Sequence, residues 1–139
     1  LGADAGVKIT IAAPPQPVMV TGDADQLQQV FTNLVENGIK YGGSGGIVQV
    51  VVSVSNRDPA VRAAAARVQV IDKGPGIDPV HLPRLTERFY RADNHRSREL
   101  GGTGLGLAIV KHIINRHRGR LRVESDLGQG AVFTVILPL

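Results

Sequence analysis

Residues 27–42 read LQQVFTNLVENGIKYG, and the spacing within this stretch decides the fold class. Leu27, Val30, Phe31 and Leu34 recur at i, i+3, i+4 and i+7, the apolar stripe of an amphipathic helix. Asp23 is a good N-cap, and Gln26 stands three residues on as its capping-box partner. The helix is expected to run to about Tyr41 and to stop at Gly42-Gly43-Ser44-Gly45-Gly46. Before it, Val7–Ile11 and Pro17–Val20 predict short strands on either side of a Pro14–Pro17 turn. After it, Ile47–Ser55 and Val68–Asp72 are β-branched and strand-like. Asn56–Arg67 reads as a hairpin connection of variable length with no chemistry in it. Pro79–Phe89 predicts a short helix or two, and Ala92–Gly102 a mobile polar loop. Gly104–Arg118 predicts a second strong helix with Gly119 at C′. Leu121–Glu124 and Ala131–Leu137 predict a terminal hairpin around Asp126–Gly130. Most strands are joined by hairpins rather than alternating with helices. That order predicts an α+β fold, a two-layer α/β sandwich, over a doubly wound parallel sheet.

Composition narrows the function classes. The chain has 139 residues, 42 % of them hydrophobic, which predicts one globular domain with a real core. Cysteine is absent, which excludes a disulfide framework and thiolate metal sites. No apolar run is long enough to span a bilayer, and the first residues show no signal-peptide pattern. The formal charge is +4. Arginines gather at Arg84–Arg98 and alternate over Arg116–Arg122, but Glu87, Asp93 and Glu99 break the first group. No nucleic-acid-binding motif accompanies either one, so a solvated surface with some phosphate-facing arginines is expected, and no nucleic-acid partner.

Three elements carry chemistry. Asn33, Asn37, Lys40 and Tyr41 share one face of the first helix, offset from its apolar stripe. Two amides one turn apart offer carbonyl oxygens to a hard cation such as Mg²⁺, with Lys40 adding positive charge for phosphates. Taken alone, the same face reads equally well as a merely polar one. Asp72-Lys73-Gly74-Pro75-Gly76-Ile77 follows a strand directly. A carboxylate there can accept a hydrogen bond from an adenine amino group while glycines let a planar ring approach, or the segment is an ordinary Gly-Pro turn. Gly101-Gly102-Thr103-Gly104-Leu105-Gly106-Leu107 leads into the second helix, where converging N–H groups suit an anion. This loop fails the Walker A pattern for want of a lysine after Gly106, and it fails the dinucleotide fingerprint for want of a third glycine. It binds phosphate by another geometry or serves as a hinge.

In this order and spacing the three elements resemble the N, G1 and G2 boxes of the superfamily shared by DNA gyrase, certain heat-shock chaperones, mismatch-repair ATPases and histidine kinases. Glu87–Arg91 resembles the F box that histidine kinases carry, and Ser125–Gly130 with Phe133 and Leu137-Pro138 resembles their last glycine box and closing strand. Arg88–Asp93 and Gly101–Arg120 are similar to phosphate-regulon-type bacterial sensor kinases. The resemblance implies a Bergerat-type fold: a mixed, mostly antiparallel sheet with about three helices on one face and Mg²⁺–ATP held between helices and lid.

By position, Asn37 with Asn33 would hold the metal, Lys40 and Tyr41 would contact phosphate and nucleotide, and Asp72 would hold adenine beside Gly74, Gly76 and Ile77. Tyr90 and Arg91 would approach the nucleotide, and the Gly102, Thr103, Gly104, Leu105, Gly106 and Leu107 segment would cradle phosphate. Hydrolysing relatives carry a glutamate where Asn33 stands. An amide is no general base, so poor hydrolysis is expected with phosphoryl transfer retained. None of His81, His95, His112 or His117 matches the family's acceptor motif, and these four are expected to be ordinary surface or partly buried residues. The chain is therefore expected to be the catalytic part, residues 1–139, of a larger sensor whose acceptor-histidine domain and sensor lie elsewhere. The resemblance implies a cytoplasmic domain of an inner-membrane protein, monomeric alone and homodimeric in full, serving a response regulator indirectly. The alternatives are an anti-sigma-type serine kinase with the same pocket, against which the F box and closing strand argue, and a non-catalytic nucleotide-binding module of the same fold. Two positions depart from the pattern: Gly38 replaces a usual alanine, and Lys73 a common asparagine.

Overall fold

Asp23 ends an extended segment and starts α1 (Ala24–Gly42). Its Oδ1 accepts the Gln26 N–H at 3.0 Å and its carbonyl the Leu27 N–H at 2.9 Å, as an N-cap must. The reciprocal bond expected from Gln26 is not made. The Asp23 N–H donates instead to His117 Nε2 at 3.0 Å. Val30 and Leu34 are fully buried, with Leu27 and Phe31 packed beside them, so the apolar stripe faces the core.

The computed structural model describes residues 7–42, 45–77, 79–85 and 106–139, with the backbone alone at Tyr41, Gly42 and Pro79. The other elements are β1 (Lys8–Ala12), β2 (Ile47–Asp58), β3 (Ala63–Asp72), a 3₁₀ helix (Pro79–Arg84), α2 (Gly106–Arg116), β4 (Arg120–Ser125) and β5 (Ala131–Pro138). The strands form one sheet in the order β1-β2-β3-β5-β4. Only β1–β2 is parallel in this sheet, and the other three pairings are antiparallel. With the helices on one side, this is the expected α+β two-layer sandwich. Two α-helices lie among the described residues rather than three.

Several expected boundaries are corrected. Pro17–Val20 forms no strand; prolines at 14, 15 and 17 remove the N–H groups a ladder needs. The alanine-rich stretch assigned to a connection is strand, and β2 and β3 run on to a tight turn between Asp58 and Ala63. Alanine has little β preference of its own, but β3 is paired on both sides, and Ala65 and Ala66 are buried. At the end of α2 the left-handed residue is Arg118 (φ 60°), so C′ lies one residue before Gly119. Gly119 N–H donates to Ile114 O and Arg118 N–H to Asn115 O, the two bonds of a Schellman turn. Gly119 is glycine for another reason: a Cβ there would lie 2.5 Å from the Ile136 carbonyl oxygen. The described part of Pro79–Phe89 is the 3₁₀ helix, with Leu85 buried just after it. The expected loop Ala92–Gly102 lies outside the described residues.

Strand alternation sorts the sheet faces. Val48, Val70, Phe133, Val135 and Leu137 point to α1 and α2 and form the core. The outer face carries Arg67, Arg120 and Arg122. Ile136 lies among them, flanked in the ladder by Arg67 and Arg120, and is fully buried; the long arginine stems suffice to cover it. Asp58 closes the β2–β3 turn, its carbonyl accepting the Arg62 N–H at 2.7 Å and its Oδ1 the Ala60 N–H at 2.9 Å. Arg67 grips both carboxylate oxygens, donating from Nε to Oδ2 and from Nη2 to Oδ1. The bonds from Arg67 hold the Asp58 carboxyl below its usual range, against the opposing pull of burial.

Two stability predictions follow from these contacts. A methyl added at Gly38 would sit 3.4 Å from Val48 Cγ1 and 3.8 Å from Val70 Cγ1, ordinary contact distances. Gly38→Ala is expected to raise stability by about 0.5–1 kcal/mol in denaturant titrations. Arg67→Met leaves Asp58 covered and without its cation, and is expected to cost about 1–3 kcal/mol near neutral pH. Because the Asp58 pKa is lowered on folding, its contribution is present above the unfolded carboxylate range and fades as pH falls through the folded value. The gap between wild type and Arg67→Met should therefore narrow in acid.

Candidate functional site

Asp72 is the last residue of β3 and lies on its helix-facing side, in register with Val48 on β2 and Ala131 on β5. It is only 6 % exposed. Burial pushes its carboxyl above the usual range, and the N–H groups of Gly74 and Ala131 and the Lys73 charge pull it part of the way back. The Gly74 N–H donates to Oδ1 at 3.0 Å, which orients the carboxylate and turns the chain away from the strand.

The turn after Asp72 is locked to the turn between β4 and β5. Ile77 N–H donates to Ser125 Oγ at 2.8 Å, and Ser125 Oγ donates onward to Gly130 O at 2.6 Å. Gly128 N–H donates to Pro75 O at 2.7 Å. Close approach of the two backbones explains the glycines. A Cβ at Gly76 would lie 2.0 Å from Asp126 O, and one at Gly130 would lie 2.1 Å from Asp72 O; both residues have φ near +77°. Ile77 packs on the core beside this clamp. The resemblance placed Ser125–Gly130 in a glycine box, but the part Ser125 plays in holding the Asp72 turn was missed. A polar residue ending an otherwise regular strand was its only local signal.

On α1, Asn33 and Asn37 are half-buried and one turn apart, and Lys40 is exposed. Neither amide has a hydrogen-bond partner among the described residues. Gly38, next to Asn37, packs on Val48 and Val70, and Val48 is the ladder partner of Asp72. The structure thus brings the Asn37 turn of α1 over the Asp72 end of the sheet. Gly106 begins α2 with no atom of the described residues within 4 Å of where its Cβ would be, and Leu107 packs against the core. The Tyr41 side chain, Tyr90, Arg91, Gly102, Thr103, Gly104 and Leu105 lie outside the described residues.

Comparison with known proteins places this geometry. A protein-family model for histidine kinase-, DNA gyrase B-, and HSP90-like ATPases matches residues 22–139. The phosphate regulon sensor protein PhoR of Pseudomonas aeruginosa is 43 % identical over 134 residues, covering 96 % of this chain and 28 % of that protein. The signal transduction histidine-protein kinase BaeS of Escherichia coli is 41 % identical over 137 residues, covering 99 % of this chain and again 28 % of the relative. The chain thus spans little more than a quarter of the length of these relatives. Among solved structures, full-length ShkA in complex with AMPPNP superposes with a TM-score of 0.78 at 30 % identity, covering 99 % of this chain and 26 % of that one. The mycobacterial sensor histidine kinase MprB gives 0.73 at 29 % identity, covering 96 % and 83 %.

The buried carboxylate of Asp72 yields a prediction that needs no ligand. Its raised pKa means that ionisation costs stability as pH rises through the folded value. Asp72→Asn removes that charge, and the amide oxygen can still accept the Gly74 N–H. In thermal melts of the nucleotide-free protein the variant is expected to unfold at a higher temperature than wild type near neutral pH. The difference should close as pH is lowered.

Proposed function

Because the chain belongs to the histidine kinase-, DNA gyrase B- and HSP90-like ATPase family, and within it to the sensor histidine kinase catalytic domains, we propose that residues 1–139 form one catalytic domain. It binds Mg²⁺–ATP and donates the γ-phosphoryl group to a histidine on a separate acceptor and dimerisation domain. The observation that carries this reading is the pair of half-buried amides Asn33 and Asn37, without a hydrogen-bond partner among the described residues, on a helix whose Asn37 turn lies over the strand end that holds the buried carboxylate of Asp72.

In this reading Asp72 accepts a hydrogen bond from the adenine amino group, fixed in place by the Gly74 N–H. Gly74, Gly76 and Ile77 shape the adenine pocket, which the Ser125 clamp keeps rigid. Amide oxygens suit a hard cation that keeps water and phosphate among its ligands, so Asn37, with Asn33, would hold Mg²⁺. The metal would supply charge neutralisation at the phosphates. Lys40 and Tyr41 would contact phosphate and nucleotide, Tyr90 and Arg91 of the F box would approach the nucleotide, and Gly102–Leu107 would supply N–H groups to phosphate. The start of α2 at Gly106 suits a phosphate at a helix N-terminus.

In the transfer, an acceptor imidazole nitrogen bonds to the γ-phosphorus while the bond to the β–γ bridging oxygen breaks, and ADP leaves with that electron pair. The work of the site is positioning and charge neutralisation. No carboxylate occupies position 33 to activate water, so hydrolysis should be slow. The acceptor domain, a cognate response regulator, a cytoplasmic location and a homodimeric whole protein belong to the same reading. No helix among the described residues is long and apolar enough to cross a membrane.

Calorimetric titration tests this directly. Wild type should bind ATP with micromolar-to-millimolar affinity, and more weakly without Mg²⁺. Asn37→Asp and Asp72→Asn should each weaken binding at least about tenfold, or ~1.4 kcal/mol, with the fold retained. An added acceptor domain should then gain acid-labile phosphate. Normal ATP affinity in Asp72→Asn would sink the adenine assignment, and acid-stable phosphate on serine would replace the histidine reading.

A further inference from the structure

His117 follows α2 directly, and both of its ring nitrogens are engaged. Nδ1 lies 2.8 Å from the Ile113 carbonyl oxygen, which can only accept, so Nδ1 carries a proton. Nε2 lies 3.0 Å from the Asp23 backbone nitrogen, which can only donate, so Nε2 is bare. The two bonds together require the neutral Nδ1–H tautomer. An imidazolium would turn an N–H toward an N–H and break the link to Asp23.

The surrounding chain is shaped to this ring. The Asp23 amide is one of the orphan donors at the start of α1, and its partner comes from the other helix. Gly22 leaves the room: a Cβ there would lie 2.5 Å from His117 Cδ2 and 2.8 Å from Nε2. Beyond the ring, the Schellman turn at Arg118 and Gly119 holds the end of α2 in place. The start of α1 is thereby tied to the end of α2, and the two helices pack against each other. At 1.5 Å per residue α2 is roughly 16 Å long, so its first residue, Gly106, lies about that far along α2 from the clasp, much as Asn33 lies along α1.

We propose that His117 is a positioning residue: its neutral ring clasps the first amide of α1 to the end of α2 and so sets the spacing between the Asn33–Asn37 face and the glycine-led start of α2. This rests on reading those two elements as walls of the nucleotide site. The charged groups around the ring are Asp23 and Asp25 on the α1 side and Arg116 and Arg118 on the α2 side. The Asp23 carboxylate already serves the Gln26 N–H, and the Pro138 end of β5 brings no charged side chain.

The test uses the full chain and the variants His117→Ala, His117→Gln and Gly22→Ala. It reads Mg²⁺–ATP affinity, amide exchange at Asp23 and circular dichroism. Glutamine can accept from one N–H and donate to one carbonyl without titrating. His117→Ala and Gly22→Ala are expected to speed exchange at Asp23 and to weaken Mg²⁺–ATP binding about 3- to 10-fold with secondary structure retained. His117→Gln should stay within about twofold of wild type. Equal losses in the alanine and glutamine variants would overturn the proposal in favour of mere packing, as would wild-type affinity in all three. If wild type bound no nucleotide, the positioning role would fall with the site reading, while exchange at Asp23 would still decide whether the clasp exists.

Discussion

Alternation along β3 is the constraint on which the rest depends. Val68, Val70 and Asp72 share one face because successive side chains point to opposite sides, and that face is the one covered by α1 and α2. The parity that builds the core therefore delivers a carboxylate to the buried side at the strand end. The consequences follow in order. Burial raises the carboxyl's pKa, a backbone N–H must satisfy it, and the chain around it must come so close that only glycine fits at positions 76 and 130. A slip of one residue in register would carry Asp72 to the outer face beside the arginines and leave the pocket without its polar anchor.

α1 serves two masters. One face gives Val30 and Leu34 to the core, and an offset face presents Asn33, Asn37 and Lys40. Gly38 sits between them, where the helix rests on Val48 and Val70. Its missing methyl is not demanded by crowding. The helix thus has slack in its contact with the sheet at the very turn that carries the amides.

What was legible in the sequence was whatever is encoded within one or two turns of chain. The α1 stripe, its Asp23 cap, the amide spacing, the β4–β5 hairpin and the sandwich class all follow from local periodicity, and all are present. Three of the misses share a physical cause, since each depends on a partner distant in sequence. Ala63–Ala66 is strand because β2 and β5 flank it, not because alanine prefers to extend. The Asp23 amide ignores the nearby Gln26 for a histidine 94 residues away. Ser125 reaches the Asp72 turn across a gap of 48 residues. In the candidate site, residue types and spacing were readable on α1 and after β3, but the clamp that holds the segment after β3 in place was not.

The one parallel pairing bears on how the chain finds its fold. β2 and β3 meet through a turn of a few residues, and hairpins of that kind close in microseconds. β1 can join β2 only after a loop of about 40 residues has closed, since Ile9 pairs with Val48 across the whole of α1. The hairpin stapled by Asp58 and Arg67 should therefore form early and β1 dock late, when α1 is already lying on the sheet. An edge strand added last is also the one released at least cost. The segment leading into α1 can then loosen while the Asp72 end of the sheet stays intact.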